Sequence, residues 1–103
     1  MKVVLLAEAE AEVYDAAAWY DERHAGLGDE LVRAVYQALD VICEAPQAWP
    51  RWPGAPGRIP PIRRFLLARF PFAIAYQAHE GVITILAVVH GKRRPFYWVG
   101  RQT

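Results

Sequence analysis

The stretch that decides the fold is VITILAVVH, residues 82–90, followed directly by GKRRPFYW, residues 91–98. Residues 82–89 are almost all apolar and many are β-branched, which is typical of a central strand covered on both faces. The residues that follow add three cations and three aromatic rings to the imidazole of His90. Because such side chains hold phosphates and stack on bases, the segment predicts an anion-binding end of the molecule.

The length and composition predict a single globular domain spanning residues 1–103. The chain has 103 residues, of which 54% are apolar and 22% are charged, and this balance is typical of folded proteins. No apolar run approaches the ~20 residues of a membrane helix, and the apolar N-terminus is interrupted at Glu8, too early for a signal peptide. We therefore expect a cytoplasmic protein that does not span a membrane.

The residue inventory excludes several kinds of chemistry. The chain contains no serine, which excludes a serine nucleophile. The single cysteine, Cys43, cannot form an internal disulfide and fits a small buried hydrophobe. His24, His79 and His90 lie in different predicted elements without the spacing of metal ligands. We expect neither a metal nor another cofactor.

Charge is divided unevenly between the two halves of the chain. Residues 1–50 carry three basic and ten acidic side chains, whereas residues 51–103 carry nine basic side chains and one acidic one, Glu80. The formal net charge of +1 therefore hides an acidic first half and a basic second half. This polarity predicts an anion-binding face built from the second half.

Hydrophobic periodicity predicts two helices near the N-terminus. Apolar residues recur at helical spacing from Ala7 to Arg23, and again, more strongly, from Asp29 to about Ala45. The intervening Gly26-Leu27-Gly28 interrupts the pattern. Because the link is so short, the two helices must pack as an antiparallel hairpin.

Strand-like runs flank the helix hairpin. One precedes it, a proline-rich loop at residues 46–61 follows it, and three more runs end the chain. Because the last three runs are joined by very short connections, they must form an antiparallel meander. The sequence thus predicts an α+β fold in the order β-α-α-β-β-β, with the hairpin packed on the sheet. The four predicted strands are Lys2–Ala7, Ile62–Phe70, Phe72–Ala78 and Val82–His90.

Basic side chains on the predicted meander and after it can meet, because neighbouring strands lie ~5 Å apart. They can form a phosphate-binding or target-binding patch, or cover apolar surface as arginines often do. His90 can act as a general acid or base, or hold the tail through a hydrogen bond. The four carboxylates between Glu8 and Asp15 fit a solvated helix face. The candidate patch comprises Arg63, Arg64, Arg69, Lys92, Arg93 and Arg94.

Five segments carry a resemblance to a known family. They are YDAAAWYDE at 14–22, GLGDEL at 26–31, AP at 45–46, IRRFL with FPFAIAY at 62–66 and 70–76, and VVHGKRRPFYW at 88–98. In this order they resemble the RelE/ParE toxins of bacterial type II toxin–antitoxin systems, on the ParE-like side. The resemblance implies the fold predicted above and a toxin that a cognate antitoxin neutralises in a hetero-oligomer.

The resemblance also implies where the antitoxin binds. In this family the C-terminal segment of the antitoxin wraps around the toxin, and here we expect it to contact the helix hairpin and the sheet face. The residues expected in this contact are Tyr14, Trp19, Tyr20, Leu31 and Val35.

Members of the family differ in their targets. ParE-like toxins act on DNA gyrase, whereas RelE-like toxins cleave mRNA in the ribosome without a metal. For the nuclease, Arg69 and Arg93 match phosphate-holding arginines and Tyr97 the tyrosine near the end of the chain. His90 or Tyr97 would move protons, since arginine stays protonated. Gyrase inhibition is the favoured function, mRNA cleavage the alternative, and a non-toxic binding module the third.

Overall fold

The predicted order of elements is confirmed in a computed structural model, which describes residues 1–101. Two helices follow a short strand, and three further strands complete the chain. The order is β-α-α-β-β-β, and all six elements correspond to the predicted ones. The elements are β1 (Lys2–Leu5), α1 (Ala7–Arg23), α2 (Leu27–Glu44), β2 (Arg63–Leu66), β3 (Phe72–His79) and β4 (Val82–His90).

The four strands form one mixed sheet in the order β1-β4-β3-β2. The predicted antiparallel meander pairs β2 with β3 and β3 with β4. The N-terminal strand β1 lies on the other side of β4 from β3 and pairs with β4 in parallel. A parallel pair needs a crossover connection, and the α1–α2 hairpin supplies it. The α+β class is therefore confirmed, and β4 is a central strand, as its apolar sequence predicts.

The helices pack on the sheet through faces of different character. The apolar stripe of α2 is buried along its whole length, whereas the buried residues of α1 are Ala9, Val13 and Ala17. These small side chains allow α1 to approach both α2 and β4 closely. The buried stripe of α2 consists of Leu31, Val35, Ala38, Leu39 and Ile42.

The link between the helices depends on two glycines. Gly26 adopts a left-handed backbone conformation with φ 91°, and α2 begins at Leu27, two residues earlier than predicted. Gly28 lies inside the first turn of α2, where its N–H donates to the Asp21 carboxylate at 2.8 Å. A Cβ at Gly28 would lie closer than 3.0 Å to the carbonyl oxygen of Ala17. The close crossing of the helices therefore requires glycine at this position.

Strand β2 is shorter than the prediction of Ile62–Phe70, which was wrong at its C-terminal end. Leu67 and Phe70 turn into the core, and the Leu67 N–H donates to the Phe72 carbonyl at 3.0 Å. This bond closes the turn into β3. Pro71 lacks an N–H and cannot continue a ladder, so regular pairing ends at Leu66.

The proline-rich loop at residues 46–61 and the C-terminal segment, residues 91–101, cover the face of the sheet that the helices do not cover. The Arg64 N–H donates to the Pro50 carbonyl at 2.9 Å, so the loop covers part of the outer edge of β2. Trp98 is fully buried, and its ring meets that of Trp52 edge-on at 5.0 Å. The sheet is thus covered on both faces, and Trp98 belongs to the core.

No helix within residues 1–101 has both the length and the apolar character needed to cross a membrane.

We expect Gly28→Ala to destabilise the fold by about 1–3 kcal/mol, because the new methyl group meets backbone that cannot move independently. Urea unfolding followed by circular dichroism measures this loss. Gly57→Ala is the matched control, since a Cβ there would meet no atom within 4 Å in the described part of the chain, and it should change stability by less than about 0.5 kcal/mol. Equal stabilities for the two variants would contradict the close helix crossing.

Candidate functional site

A cleft opens between α1 and the end of β4. Its walls include Glu12 and Trp19 of α1, His90 of β4, and Arg93 and Tyr97 of the C-terminal segment, residues 91–101. The cleft has a volume of about 420 Å³, which is in the range of sites that hold small ligands or a few side chains of a partner. It therefore joins acidic, basic and aromatic groups from both halves of the chain.

A β-bulge in β4 determines which way His90 points. Leu86 is an extra residue in β4 relative to its partner strand β3. Because side chains alternate along a strand, one extra residue moves all later side chains to the opposite face. His90 consequently shares the helix-covered face with Ile85, and its ring meets that of Phe72 edge-on, with centroids 5.1 Å apart. The bulge thus places the imidazole in the cleft.

Glu12 is the anchor of the cleft. Its carboxylate accepts hydrogen bonds from the Val88 N–H at 3.1 Å, from the Tyr97 hydroxyl and from the Arg101 guanidinium at 2.8 Å. Arg101 also donates to the Leu86 carbonyl at 3.2 Å. These backbone groups lie on the part of β4 beyond its pairing with β1. Side chains therefore complete a sheet edge whose backbone groups would otherwise lack partners.

Tyr97 is held in its protonated form. Burial raises the pKa of its hydroxyl, and the hydrogen bond to Glu12 raises that pKa further. Arg93 lies over the tyrosine ring, with its guanidinium carbon 4.3 Å from the ring centroid. The hydroxyl is thus a firmly held donor and a poor proton acceptor. Burial by itself lowers the pKa of Arg101, but the bond to Glu12 raises it overall.

His90 contributes to the turn that follows β4. Its Nδ1 accepts a hydrogen bond from the Lys92 N–H at 3.0 Å. An accepting Nδ1 places the ring proton of the neutral imidazole on Nε2. The imidazole therefore supports the start of the C-terminal segment, one of the two roles considered from the sequence.

Three of the four predicted catalytic residues come together, and one does not. His90, Arg93 and Tyr97 line the cleft. Arg69 lies in the β2–β3 turn, where it forms a salt bridge with Glu30 of α2, and it lines a different groove, between α2 and β2. The two arginines expected to hold one phosphate thus face different cavities.

The predicted basic patch is divided rather than continuous. Arg63 donates to the Trp49 carbonyl at 2.7 Å and to the Gln47 side chain at 2.9 Å, and Arg69 is bound to Glu30. The guanidinium carbon of Arg64 lies 5.8 Å from the centroid of the Trp52 ring. The remaining three cations, at 92–94, are exposed in the turn after β4. The cations of the predicted patch therefore divide into those bound within the protein and those exposed to solvent.

The residues expected to contact an antitoxin separate into two groups. Tyr14 and Trp19 are exposed and Tyr20 is half-buried, so these three offer surface on α1. Leu31 and Val35 are 1% and 0% exposed. Their assignment to a binding surface was wrong, because the apolar stripe of α2 that they belong to faces the core.

Sequence reasoning missed Glu12 and Arg101. Glu12 was assigned to a solvated helix face, yet its side chain is 14% exposed. One signal was available, because Glu12 lies three residues after Ala9 and one before Val13, at the edge of the buried stripe of α1. Arg101 near the end of the chain carries no comparable signal, since its position depends on how residues 91–100 fold.

Within residues 1–101, no three histidine, cysteine or acidic side chains are grouped so that they could hold a metal ion. The carboxylate of Glu12 instead binds a cation, a phenol and a backbone amide. The cleft is therefore equipped for recognition through hydrogen bonds, stacking and charge.

Comparison with known proteins bears on the fold. The sequence matches no protein-family model and no curated protein. One similar solved structure is a chain of the chromosomal ParDE toxin–antitoxin (TA) system from P. aeruginosa, with a TM-score of 0.65 and 20% sequence identity over 87% of this chain and 95% of that chain. At this identity the likeness shows the fold, and the RelE/ParE-like fold implied by the sequence resemblance is confirmed.

We expect Glu12→Ala to destabilise the protein by about 1.5–3 kcal/mol, the range for hydrogen bonds to a charged group. The free energy of unfolding in urea measures the effect. Glu10→Ala is the matched control on the same helix, because Glu10 is exposed, and it should change stability by less than about 0.5 kcal/mol. Similar losses for both variants would contradict the role of Glu12 as an anchor.

Stability should fall above pH 10, in part through Tyr97. A tyrosine whose pKa is raised by folding stabilises the protein fully below its unfolded pKa of about 10. This contribution is lost as the pH rises toward the higher folded pKa. In denaturant titrations at pH 9, 10 and 11, Tyr97→Phe should therefore lose stability less steeply than the unmodified protein. Parallel pH profiles would show that Tyr97 is not protected from ionisation by the fold.

Proposed function

We propose that this chain is the toxin of a type II toxin–antitoxin system, of the ParE-like branch. A cognate antitoxin holds it inactive in a cytoplasmic hetero-oligomer, and the free toxin inhibits growth by acting on DNA gyrase. The observation that carries this proposal is the likeness of nearly the whole chain to a chain of a ParDE toxin–antitoxin system. The ordered sequence segments that resemble RelE/ParE toxins support it independently.

The surface of α1 supports an antitoxin contact. Tyr14 and Trp19 are each 51% exposed, and aromatic side chains of this kind are the common anchors of protein interfaces. Arg23 stacks on the Trp19 ring with its guanidinium carbon 3.6 Å from the centroid, which keeps the indole on the surface in a defined orientation. Trp19 also lines the cleft, so a partner bound on α1 can reach the His90 and Arg93 side chains.

The exposed cations at residues 92–94 support a large acidic or nucleic-acid-bound target. They follow β4 in a turn that His90 and Tyr97 hold in place. Because these cations are exposed and close together, they can attract a negatively charged surface over a longer range than a single arginine. Gyrase with its bound DNA presents such a surface.

Messenger RNA cleavage is the second candidate function, and the shared position of His90, Arg93 and Tyr97 favours it. A nuclease must activate a 2′-hydroxyl and stabilise a phosphate with cations. In this chain the Tyr97 hydroxyl is bound to Glu12, and Arg69 is bound to Glu30 in another groove. These two contacts favour the gyrase mechanism over RNA cleavage.

Induced expression in a bacterial host should stop growth, and the purified protein should inhibit supercoiling by gyrase while transcripts stay intact. Replacing Lys92, Arg93 and Arg94 together by glutamine should weaken inhibition at least about tenfold, because charge-assisted contacts to the target are lost. Arg33→Gln, which removes an exposed cation of α2, is the control and should inhibit normally.

Other outcomes separate the candidate functions. Codon-phased 5′ ends in transcripts after induction, with normal supercoiling, would support the endonuclease and contradict gyrase inhibition. Growth that continues normally while folded protein accumulates would support a non-toxic binding module. Co-expression of the neighbouring antitoxin gene should restore growth if either toxin mechanism holds.

A further inference from the structure

A second cavity lies on the face of the sheet away from the helices. We call it the Trp98 pocket, and its volume is about 460 Å³. Its walls are largely apolar and aromatic, and apart from His90 and Arg93 the proposed gyrase mechanism uses none of its lining residues. The walls include Trp52, Arg64, Leu66, Val89, Phe96 and Trp98.

Two hydrogen-bond donors in these walls lack acceptors. Arg64 Nε and Trp98 Nε1 are two of three buried side-chain nitrogens without a partner among residues 1–101. The third belongs to Trp49, which lies outside this lining and whose ring meets that of Phe65 edge-on. Buried donors are nearly always paired in folded proteins. Two unpaired donors in the wall of one cavity therefore indicate a site that an acceptor completes.

The charge around the pocket identifies the acceptor as an anion. Among the described residues, the lining of the pocket contains no acidic side chain, while Arg64 and Arg93 both contribute to it. Within residues 1–101, the guanidinium of Arg64 forms no ion pair, in contrast to Arg69. A planar guanidinium pairs well with both oxygens of a carboxylate. An acidic group beside Arg64 would thus meet an unshared positive charge.

The rim of the pocket is strained. Phe96 has a positive φ of 60°, which is unfavourable for a bulky side chain. Its ring packs over Gly54, close enough that a Cβ there would lie 3.4 Å from the ring. The two unpaired nitrogens are closed from solvent, so the proposed site requires part of the pocket wall to move, and Phe96, whose ring centroid lies 6.0 Å from that of Trp98, is the neighbouring side chain on the rim.

We propose that the Trp98 pocket receives an acidic side chain from an otherwise apolar, extended segment of the antitoxin. The carboxylate pairs with Arg64 and accepts from the Trp98 indole N–H, while neighbouring apolar residues pack on Trp52 and on Leu66, which is 61% exposed. The contact rests on the proposed function in naming the antitoxin as the partner. It extends the antitoxin surface from α1 to the opposite face of the sheet.

A peptide segment fits this site better than a nucleic acid strand does. A strand of RNA carries a phosphate at every nucleotide and requires a row of available cations. On β2 and the turn after it, Arg63 and Arg69 are occupied by contacts within the protein, and Arg93, the other arginine in the lining, has its guanidinium over the Tyr97 ring. One carboxylate flanked by apolar groups matches one guanidinium flanked by aromatic rings.

The test uses the full chain labelled with ¹⁵N and observes the indole N–H signals of its tryptophans. The probes are a capped tripeptide of leucine, glutamate and phenylalanine, its glutamine counterpart, inorganic phosphate and a trinucleotide. The glutamate peptide should shift the Trp98 signal, which Trp98→Phe identifies, and the glutamine peptide should bind at least about tenfold more weakly. Arg64→Gln should weaken binding of the glutamate peptide at least about tenfold, and Arg33→Gln, which removes an exposed cation of α2 outside the pocket, should leave it within about twofold.

Several results would overturn the inference. They are equal binding of the two peptides, a Trp98 shift produced by phosphate or the trinucleotide alone, and a Trp98 signal that none of the probes moves. Thermal melting checks that Arg64→Gln is folded, and Arg64→Lys, which keeps the charge but cannot pair through two N–H groups, should bind with intermediate strength. Peptide binding uses no growth readout. A toxic protein that fails this test therefore retains the proposed function and loses this inference alone.

Discussion

The carboxylate of Glu12 meets the backbone of β4 where β1 no longer pairs with it. The first strand is short because α1 begins at Ala7, and the later part of β4 therefore presents Val88 N–H and Leu86 C=O toward the C-terminal segment. Glu12 and Arg101 bind these groups and each other. Since unpaired backbone groups at a buried edge are strongly unfavourable, the position of residues 91–101 follows from this need, and so does the position of every cleft residue they contain.

Charge polarity along the sequence has a structural use that differs from simple anion binding. The acidic first half forms the helix layer, and two of its carboxylates, Glu12 and Glu30, bind arginines of the basic second half. These ion pairs join the helix layer to the end of the sheet and to the tail. Within the predicted basic patch, the cations without an ion pair or a side-chain hydrogen bond among residues 1–101 are those of the turn at 92–94 and Arg64. Recognition of partners consequently falls to a smaller and more divided set of cations than the charge count suggests.

The candidate functional surfaces lie where the regular strand pairing is interrupted. The bulge at Leu86 directs His90 into the cleft beside α1. The turn after β2 places Arg69 in a different groove, between α2 and β2. On the opposite face, Phe96, with its positive φ of 60°, forms part of the wall of the Trp98 pocket. Local departures from ideal strand geometry are frequent at binding sites. Here they separate an α1 surface, an exposed basic turn and an inner pocket.

The sequence by itself determined the order of the elements, the helix hairpin, the meander and the central position of β4. Periodicity and punctuation by glycine and proline are local properties, and they suffice for these features. Tertiary structure alone decided that β1 lies parallel to β4, that the Glu12 side chain is largely buried rather than solvated, and that Arg69 and Arg93 face different cavities. These features depend on an extra residue in one strand and on contacts across 39 to 89 positions of the chain. Composition and spacing cannot predict such contacts. The local sequence pattern is the same whether a side chain contacts water, the backbone or another side chain.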